Sequence, residues 1–353
     1  MLKSLHLKNF TVFPDARFMF GKNLNVFIGE NGLGKTQILK TAYVMAYVSA
    51  KGAKETAAVT PTKTYLQGAV AKKLREVFKP DALGRLARRQ AGRARCEIGW
   101  VFARPELDCK ASFNTASKSE VGIEQSPTGW LDKLPVYLPT RELLTIYPGF
   151  VSLYETAYTD FDDTWRDTCI LLGAPLAKGA RESRIKELLE PLEVAMGGSV
   201  ELTKSGRFYL KTKTGSMEMH LVAEGLRKLA MLARLIATGS LLDKGLLFWD
   251  EPEANLNPKL IRLVARSILQ ISQSGIQVFI ATHSLFLLRE LHILQAREFA
   301  GVDTRYFGLQ AEGEAVSVKP ADNIDEIGDI TALDEELMQS ERYLDTENHL
   351  TAV

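Results

Sequence analysis

Leu24-Asn25-Val26-Phe27-Ile28-Gly29-Glu30-Asn31-Gly32-Leu33-Gly34-Lys35-Thr36 joins a short apolar run to a glycine-rich turn, and a helical pattern follows to about residue 48. An apolar run of this length is a buried strand, so the passage predicts strand, loop and helix in sequence. Gly29-x-x-x-x-Gly34-Lys35-Thr36 matches a loop that cradles phosphate. Glycines let successive backbone N–H groups turn inward, and the helix that follows directs its positive end at the same point. The loop residues Gly29, Glu30, Asn31, Gly32, Leu33 and Gly34 are therefore candidate nucleotide contacts. Lys35 is placed to reach the β- and γ-phosphates, and the Thr36 hydroxyl to ligate Mg²⁺. A chance match in a chain of this length is on the order of one in a hundred.

Further along, Gly245-Leu246-Leu247-Phe248-Trp249-Asp250-Glu251-Pro252 supplies the complementary half. An apolar strand buries its backbone and presents two adjacent carboxylates at its C-terminal end, where open α/β sheets bind ligands. Asp250 is placed to hold Mg²⁺, and Glu251 to polarise an attacking water as general base. Thr282-His283-Ser284 closes the next predicted strand, 277–281, and a histidine there is placed to sense the γ-phosphate.

The remaining pattern alternates strands with helices, which predicts a mostly parallel sheet covered on both faces. Strands are expected at 2–10 and 16–20, with a turn at Pro14-Asp15 between them, and at 96–102 and 134–138. Helical spacing dominates 143–196, a three-strand meander follows at 200–221, and a helix over 225–238 stops at Gly239. Asn257 and Pro258 read as N-cap and first residue of another helix. These elements divide the chain into a first core part (1–50), an insertion (51–129), a core strand (130–142), a helical subdomain (143–198), a second core part (199–320) and an acidic segment (321–353).

Composition narrows the class. Hydrophobic residues at 46% and charged residues at 25% are ordinary globular values for 353 residues. The three cysteines, Cys96, Cys109 and Cys169, are too few and too far apart for a disulfide framework or a C-x-x-C metal site. No apolar run approaches the roughly 18 residues of a membrane helix, and the N-terminus lacks a signal-peptide core, so the expectation is a cytoplasmic protein with no membrane contact. Net charge is +1, yet basic residues crowd Lys72 to Arg95 and acids crowd 322–347. Such polarity marks either a nucleic-acid footprint and an interaction tail, or two solvated helix faces.

Phosphate loop, Asp-Glu after an apolar strand and strand-end histidine together resemble the ABC-type ATPase heads of the RecF/SMC/OLD group. Within it, the chain looks like the compact bacterial AAA-family ATPases of anti-phage defence and RloA-like systems. The resemblance spans about residues 1–50 and 130–345. It implies a P-loop NTPase fold of α/β class, with a mostly parallel sheet, an antiparallel β subdomain and a helical subdomain. It also implies ATP and Mg²⁺ as cofactors, hydrolysis to ADP and phosphate, and dimerisation of two heads around nucleotide. His283 matches the family's switch histidine, and Glu251 to Pro258 matches the loop that meets the opposite subunit. Val222-Ala223-Glu224-Gly225-Leu226-Arg227-Lys228 sits where the family places the signature that touches the partner's γ-phosphate. Ala223 replaces the usual serine there, which leaves Glu224, Gly225 and Arg227 as the remaining contacts. The family's Mg-reading glutamine has no clear counterpart: Gln67 lies in the insertion, and Pro139-Thr140-Arg141-Glu142 contains none. Adenine stacking falls to Phe10 or Phe13 unless both are core. For the work the cycle drives, the resemblance implies a regulatory ATPase of a defence system acting on a separate effector. A RecF-like clamp using the basic stretch on DNA and a nucleotide-gated scaffold are the alternatives.

Overall fold

A computed structural model describes residues 1–56, 58–89, 92, 94–157, 159–179, 182–242, 245–328 and 331–351. Its central sheet has six strands: β3 (Leu24–Ile28), β7 (Val136–Leu138), β11 (Gly245–Asp250), β12 (Ile276–Thr282), β13 (Thr304–Glu312) and β14 (Ala315–Ala321). They lie in the order β14-β13-β3-β12-β11-β7, parallel throughout except for the β13–β14 hairpin. Alternate side chains feed two cores. Val26, Trp249, Val278 and Ile280 face one, and Phe27, Phe248, Phe279 and Phe307 face the other. Burial on both faces is why these strands read as unbroken apolar runs.

The first core is closed by α6 (Glu224–Ala237), α7 (Pro258–Gln273) and α8 (Leu285–Arg297), together with α3 (Tyr147–Thr156), α4 (Asp163–Leu172), α5 (Glu182–Met196) and the meander β8 (Gly198–Leu202), β9 (Phe208–Thr212) and β10 (Gly215–Glu218). The Asn257 side chain caps α7 by accepting from the Leu260 N–H at 3.0 Å, and Gly239 follows α6 at φ +76°, as expected for a C′ glycine. The second core lies under α1 (Lys35–Glu55) and an antiparallel sheet ordered β2-β1-β4-β5-β6. That sheet is built from β1 (Leu2–Phe10), β2 (Phe13–Met19), β4 (Arg95–Phe102), β5 (Cys109–Asn114) and β6 (Gly122–Gln125).

Two sequence expectations change here. Residues 51–129, read as an insertion, are woven into the sheet: β4 pairs with β1 along its length, with Leu5 opposite Trp100 and Leu7 opposite Ile98. The β1–β2 turn falls at Thr11-Val12, not at Pro14-Asp15, and Phe10 pairs with Phe13 across it. Tertiary contacts select that turn. Thr11 donates its N–H to the Leu86 carbonyl at 2.9 Å and its hydroxyl to Gln37 Oε1 at 2.5 Å, which holds a non-glycine residue at φ +48°. Pro14 is tolerated inside β2 because that strand lies at the edge of its sheet.

α2 (Lys63–Phe78) is fastened to its neighbours by a buried charge. The Lys73 ammonium, 3% exposed, donates to both Asp163 and Asp167 of α4, and the Tyr43 hydroxyl of α1 donates to Asp167 at 2.6 Å. Removing the cation strands two carboxylates in a low-dielectric site. Lys73→Met is therefore expected to lower unfolding free energy by about 3–5 kcal/mol, read by urea denaturation. A loss below about 1 kcal/mol would mean the network is solvated in solution.

Candidate nucleotide-binding site

Because β3, β12, β11 and β7 run parallel, their C-terminal ends share one edge, and the loop 29–36, Asp250-Glu251, His283 and the segment after Leu138 all emerge there. Gly32 and Gly34 adopt φ of +87° and +85°, which turns the loop's amides inward. A Cβ on Gly34 would also fall 2.8 Å from the Phe13 ring and 2.9 Å from Val12, so the β1–β2 turn forms one wall of the loop. Among the described residues no side chain caps α1, whereas Asp162, Asn257 and Ser284 cap α4, α7 and α8. The first amides of α1 thus remain open to an anion.

The Lys35 ammonium is buried and donates to the carbonyls of Gly29 at 2.6 Å and Glu30 at 2.8 Å. Burial pulls its pKa down, while Glu251, Asp250, Glu253 and Glu30 push it back up. Thr36 donates its hydroxyl to Asp250 Oδ2 at 2.8 Å, which brings together the two residues expected to hold Mg²⁺. Burial is the main cause that raises Asp250 to about 6, and the neighbouring Glu251 charge adds to it. A hydroxyl and a carboxylate beside further acids make an oxygen site that a hard divalent cation fits. Among the described residues no three His, Cys, Asp or Glu converge as a cage. The cation would thus take its other ligands from phosphate and water.

Glu251 sits at φ +46°, its N–H bonded to the Ala281 carbonyl at 2.9 Å, and its carboxylate lies 3.5 Å from His283 Nδ1. Both side chains are partly exposed at the edge, while the His283 Nδ1 atom that faces Glu251 is buried. Sequence reasoning missed two residues that hold this arrangement. Glu253 is buried and accepts the Thr282 hydroxyl at 2.5 Å, which ties the loop after β11 to the end of β12. Burial raises its pKa. Lys228 on α6 is buried and donates to the carbonyls of Glu251 at 2.6 Å and Ala254 at 3.2 Å; burial draws its pKa down to about 8. The Glu251-Pro-Glu253 spacing and a lysine on an apolar helix face were the available signals.

Ala223 and Glu224 are exposed at the start of α6, and Gly225 approaches the 251–257 loop closely: a Cβ there would stand 3.0 Å from the Asn255 carbonyl. The Asn255 amide donates to Glu224 Oε1 at 2.9 Å. Arg227, expected as a phosphate contact, is instead engaged within its own chain, 2.9 Å from the Glu142 carboxylate and bonded to the Val222 carbonyl at 3.1 Å. Phe10 and Phe13 are fully buried, which makes them core rather than adenine platforms. Gln67 lies within α2.

Within the basic stretch, Lys72, Arg75, Lys79, Arg85 and Arg89 are exposed, and three others are engaged. Lys73 is buried against aspartates, Arg88 donates to the Val12 carbonyl at 2.9 Å, and Arg95 pairs with Glu124; Arg93 lies outside the described residues. In the acidic segment, Asp329 also lies outside them, and α9 (Thr331–Thr351) carries Asp334, Glu335, Glu341 and Asp345 on exposed positions. No helix among the described residues is long and apolar enough to cross a membrane.

Comparison with known proteins agrees with this geometry. A family described as "AAA domain, putative AbiEii toxin, Type IV TA system" matches residues 141–289, and a second, "AAA domain", matches residues 4–41. The RecF DNA replication and repair protein of Streptococcus gordonii is 49% identical over 45 residues, 13% of this chain and 12% of that protein. The Old nuclease of Escherichia phage P2 is 45% identical over 51 residues, 14% of this chain and 9% of the nuclease. The matched segments thus span about a tenth of those relatives. The fold extends the likeness along the whole chain. The Pyrococcus furiosus Smc head bound to the C-terminal domain of ScpA superposes with a TM-score of 0.53 at 13% identity, over 97% of this chain and 99% of that one. A second Smc head, bound to the C-winged helix domain of ScpA, gives 0.52 at 15% identity over 91% and 97%. In fold, phosphate loop and matched segments together, the chain has the fold of an Smc head and is similar to the ABC-type ATPase heads of the RecF/SMC/OLD group.

Proposed function

We propose that this head binds ATP with Mg²⁺ at the 29–36 loop and hydrolyses it, and that nucleotide gates the dimerisation of two heads. The observation that carries the reading is the Thr36–Asp250 hydrogen bond at 2.8 Å, with Lys35 on one side and Glu251 beside His283 on the other. A bound Mg²⁺ supplies charge neutralisation at the phosphates. Thr36 and Asp250 would hold it, and Lys35 would exchange its carbonyl bonds for phosphate oxygens. Glu251 accepts the proton of the attacking water, and His283, 3.5 Å away, orients that carboxylate. Turnover is proposed to regulate a separate effector in defence against phage. The match to a family described as putative AbiEii toxin and the similarity to a phage-encoded nuclease support that assignment.

The dimer reading rests on the start of α6. Exposed Ala223 and Glu224 and the partly exposed Gly225 begin a helix beside the 251–257 loop, and its N-terminus is a site suited to a partner's terminal phosphate. Since Arg227 is held by Glu142, that contact falls to backbone amides. Mixing two inactive variants tests it. A Gly225→Glu chain and a Lys35→Ala chain each carry one lesion, yet their heterodimer has one site with both and one with neither. Activity is expected to return in part, and turnover per chain to rise with concentration. No rescue together with concentration-independent turnover would mean that the sites are complete in one chain.

A further inference from the structure

Two helices of opposite charge face solvent in this chain. Every described side chain of α9, at 334–335 and 337–348, is exposed, and none belongs to either core. A lone helix of this length is marginal in water and is normally held by packing an apolar face. α9 keeps such residues in the open: Leu337 is 41% exposed, Met338 50%, Tyr343 65% and Leu344 59%. Its sequence holds six acids against Arg342, which is paired within the helix to Glu335 at 3.8 Å.

α2 presents the opposite sign. Gly68, Lys72, Arg75 and Lys79 stand at i, i+4, i+7 and i+11, which is one stripe along a helix. All three cations are exposed. The Arg75 guanidinium makes neither ion pair nor hydrogen bond among the described residues, and Lys72 lies 3.8 Å from Glu76. A Cβ on Gly68 would meet nothing within 4 Å, so packing in its own chain does not require the glycine, although glycine inside a helix is unfavourable. Bare backbone there admits the close approach of another element. Beside the stripe, Tyr47, Tyr65, Ala69 and Tyr154 line a cavity of about 320 Å³. α9 repeats the spacing, with Asp334, Met338, Glu341 and Asp345 also at i, i+4, i+7 and i+11. Among the described residues no hydrogen bond or ion pair joins the two helices within one chain.

We propose that α9 of one copy packs along the basic stripe of α2 on a second copy. A parallel alignment of the two stripes sets Glu341 beside Arg75, a turn from Lys72, and Asp345 beside Lys79. It turns Leu337 and Leu344, which flank the α9 stripe, toward the tyrosine-lined cavity. The complement of the basic stripe, in charge and in spacing, is carried by this same chain, which favours it over a nucleic acid. Two copies can exchange α9 reciprocally, which doubles the contact and closes as a dimer. This association needs no nucleotide and so differs from the ATP-gated joining of heads.

Sedimentation of the whole chain without nucleotide tests it. The parent is expected to dimerise as its concentration rises, and less so as ionic strength passes about 0.15 M. One double variant, Lys72→Glu with Arg75→Glu, should weaken association at least about tenfold, because each reversal turns an attraction into a repulsion. A second, Glu341→Lys with Asp345→Lys, should do the same from the other side. All four positions are exposed, so the fold is expected to persist in both. Mixed together, the two variants regain opposite charges at both contacts, and the dimer should return. A parent that stays monomeric at every concentration overturns the proposal, whether α9 then lies on its own chain or a DNA strand takes Lys72 and Arg75. Association that neither double variant reduces, or a mixture that does not recover it, overturns it equally.

Discussion

Glu251→Gln is expected to bind Mg-ATP as the parent does and to lose turnover by about 10²–10⁴-fold, the usual contribution of a general base. The amide has the same shape but cannot accept a proton from water. The Glu251 backbone is held independently of the carboxylate. The Lys228 ammonium holds the Glu251 carbonyl and Ala281 holds its N–H, so the substitution leaves the φ +46° bend in place. Because ATP then persists, head dimers should accumulate and sediment as a larger species. Wild-type turnover with no shift in sedimentation would assign the proton transfer to another residue.

Lys35→Ala should weaken ATP by at least about a hundredfold, since hydrogen bonds to charged groups are worth about 1.5–3 kcal/mol each and a lysine there makes more than one. Two effects combine. The phosphates lose a buried cation, and the loop loses the bonds to Gly29 and Glu30 that tie its two ends together. Lys35→Arg would keep the charge but replace a compact ammonium bonded to two carbonyls with a larger planar fork. Calorimetry reads the binding, and thermal unfolding of the nucleotide-free protein reads the loop. Unchanged ATP affinity in Lys35→Ala would place the nucleotide elsewhere.

The elements that could be read from sequence are those whose determinants are local. The strand-loop-helix around Gly29–Thr36 carries its own periodicity and glycines, and the Asn257-Pro258 start of α7 is written in adjacent residues. Asp250, Glu251 and His283 can be grouped as candidates from sequence because the C-terminal ends of parallel strands share one sheet edge. What escaped depends on distant partners. β4 pairs with β1 across more than eighty residues, and the resulting sheet has no local signature that separates it from an insertion. Pro14-Asp15 has the composition of a turn, yet Leu86 and Gln37 place the turn at Thr11. Arg227 and the residues of the basic stretch look alike on paper; whether each is free depends on Glu142, Asp163, Glu124 and the Val12 carbonyl.

The place of β3 in its sheet sets an order on biosynthesis. The strand that delivers the phosphate loop is flanked by β12 and β13: Leu24 lies beside Val278 on one side and Thr304 on the other. Closing chain segments of that length costs entropy before any contact rewards it, and parallel pairings across them form late. The nucleotide-binding motif leaves the ribosome before β12 and β13, and the sheet that shapes it cannot assemble until residue 308 has emerged. A nascent or truncated chain that carries the motif without β12 and β13 should therefore have no nucleotide affinity. ATP can act as a ligand for the nearly finished head but not as a template for its synthesis.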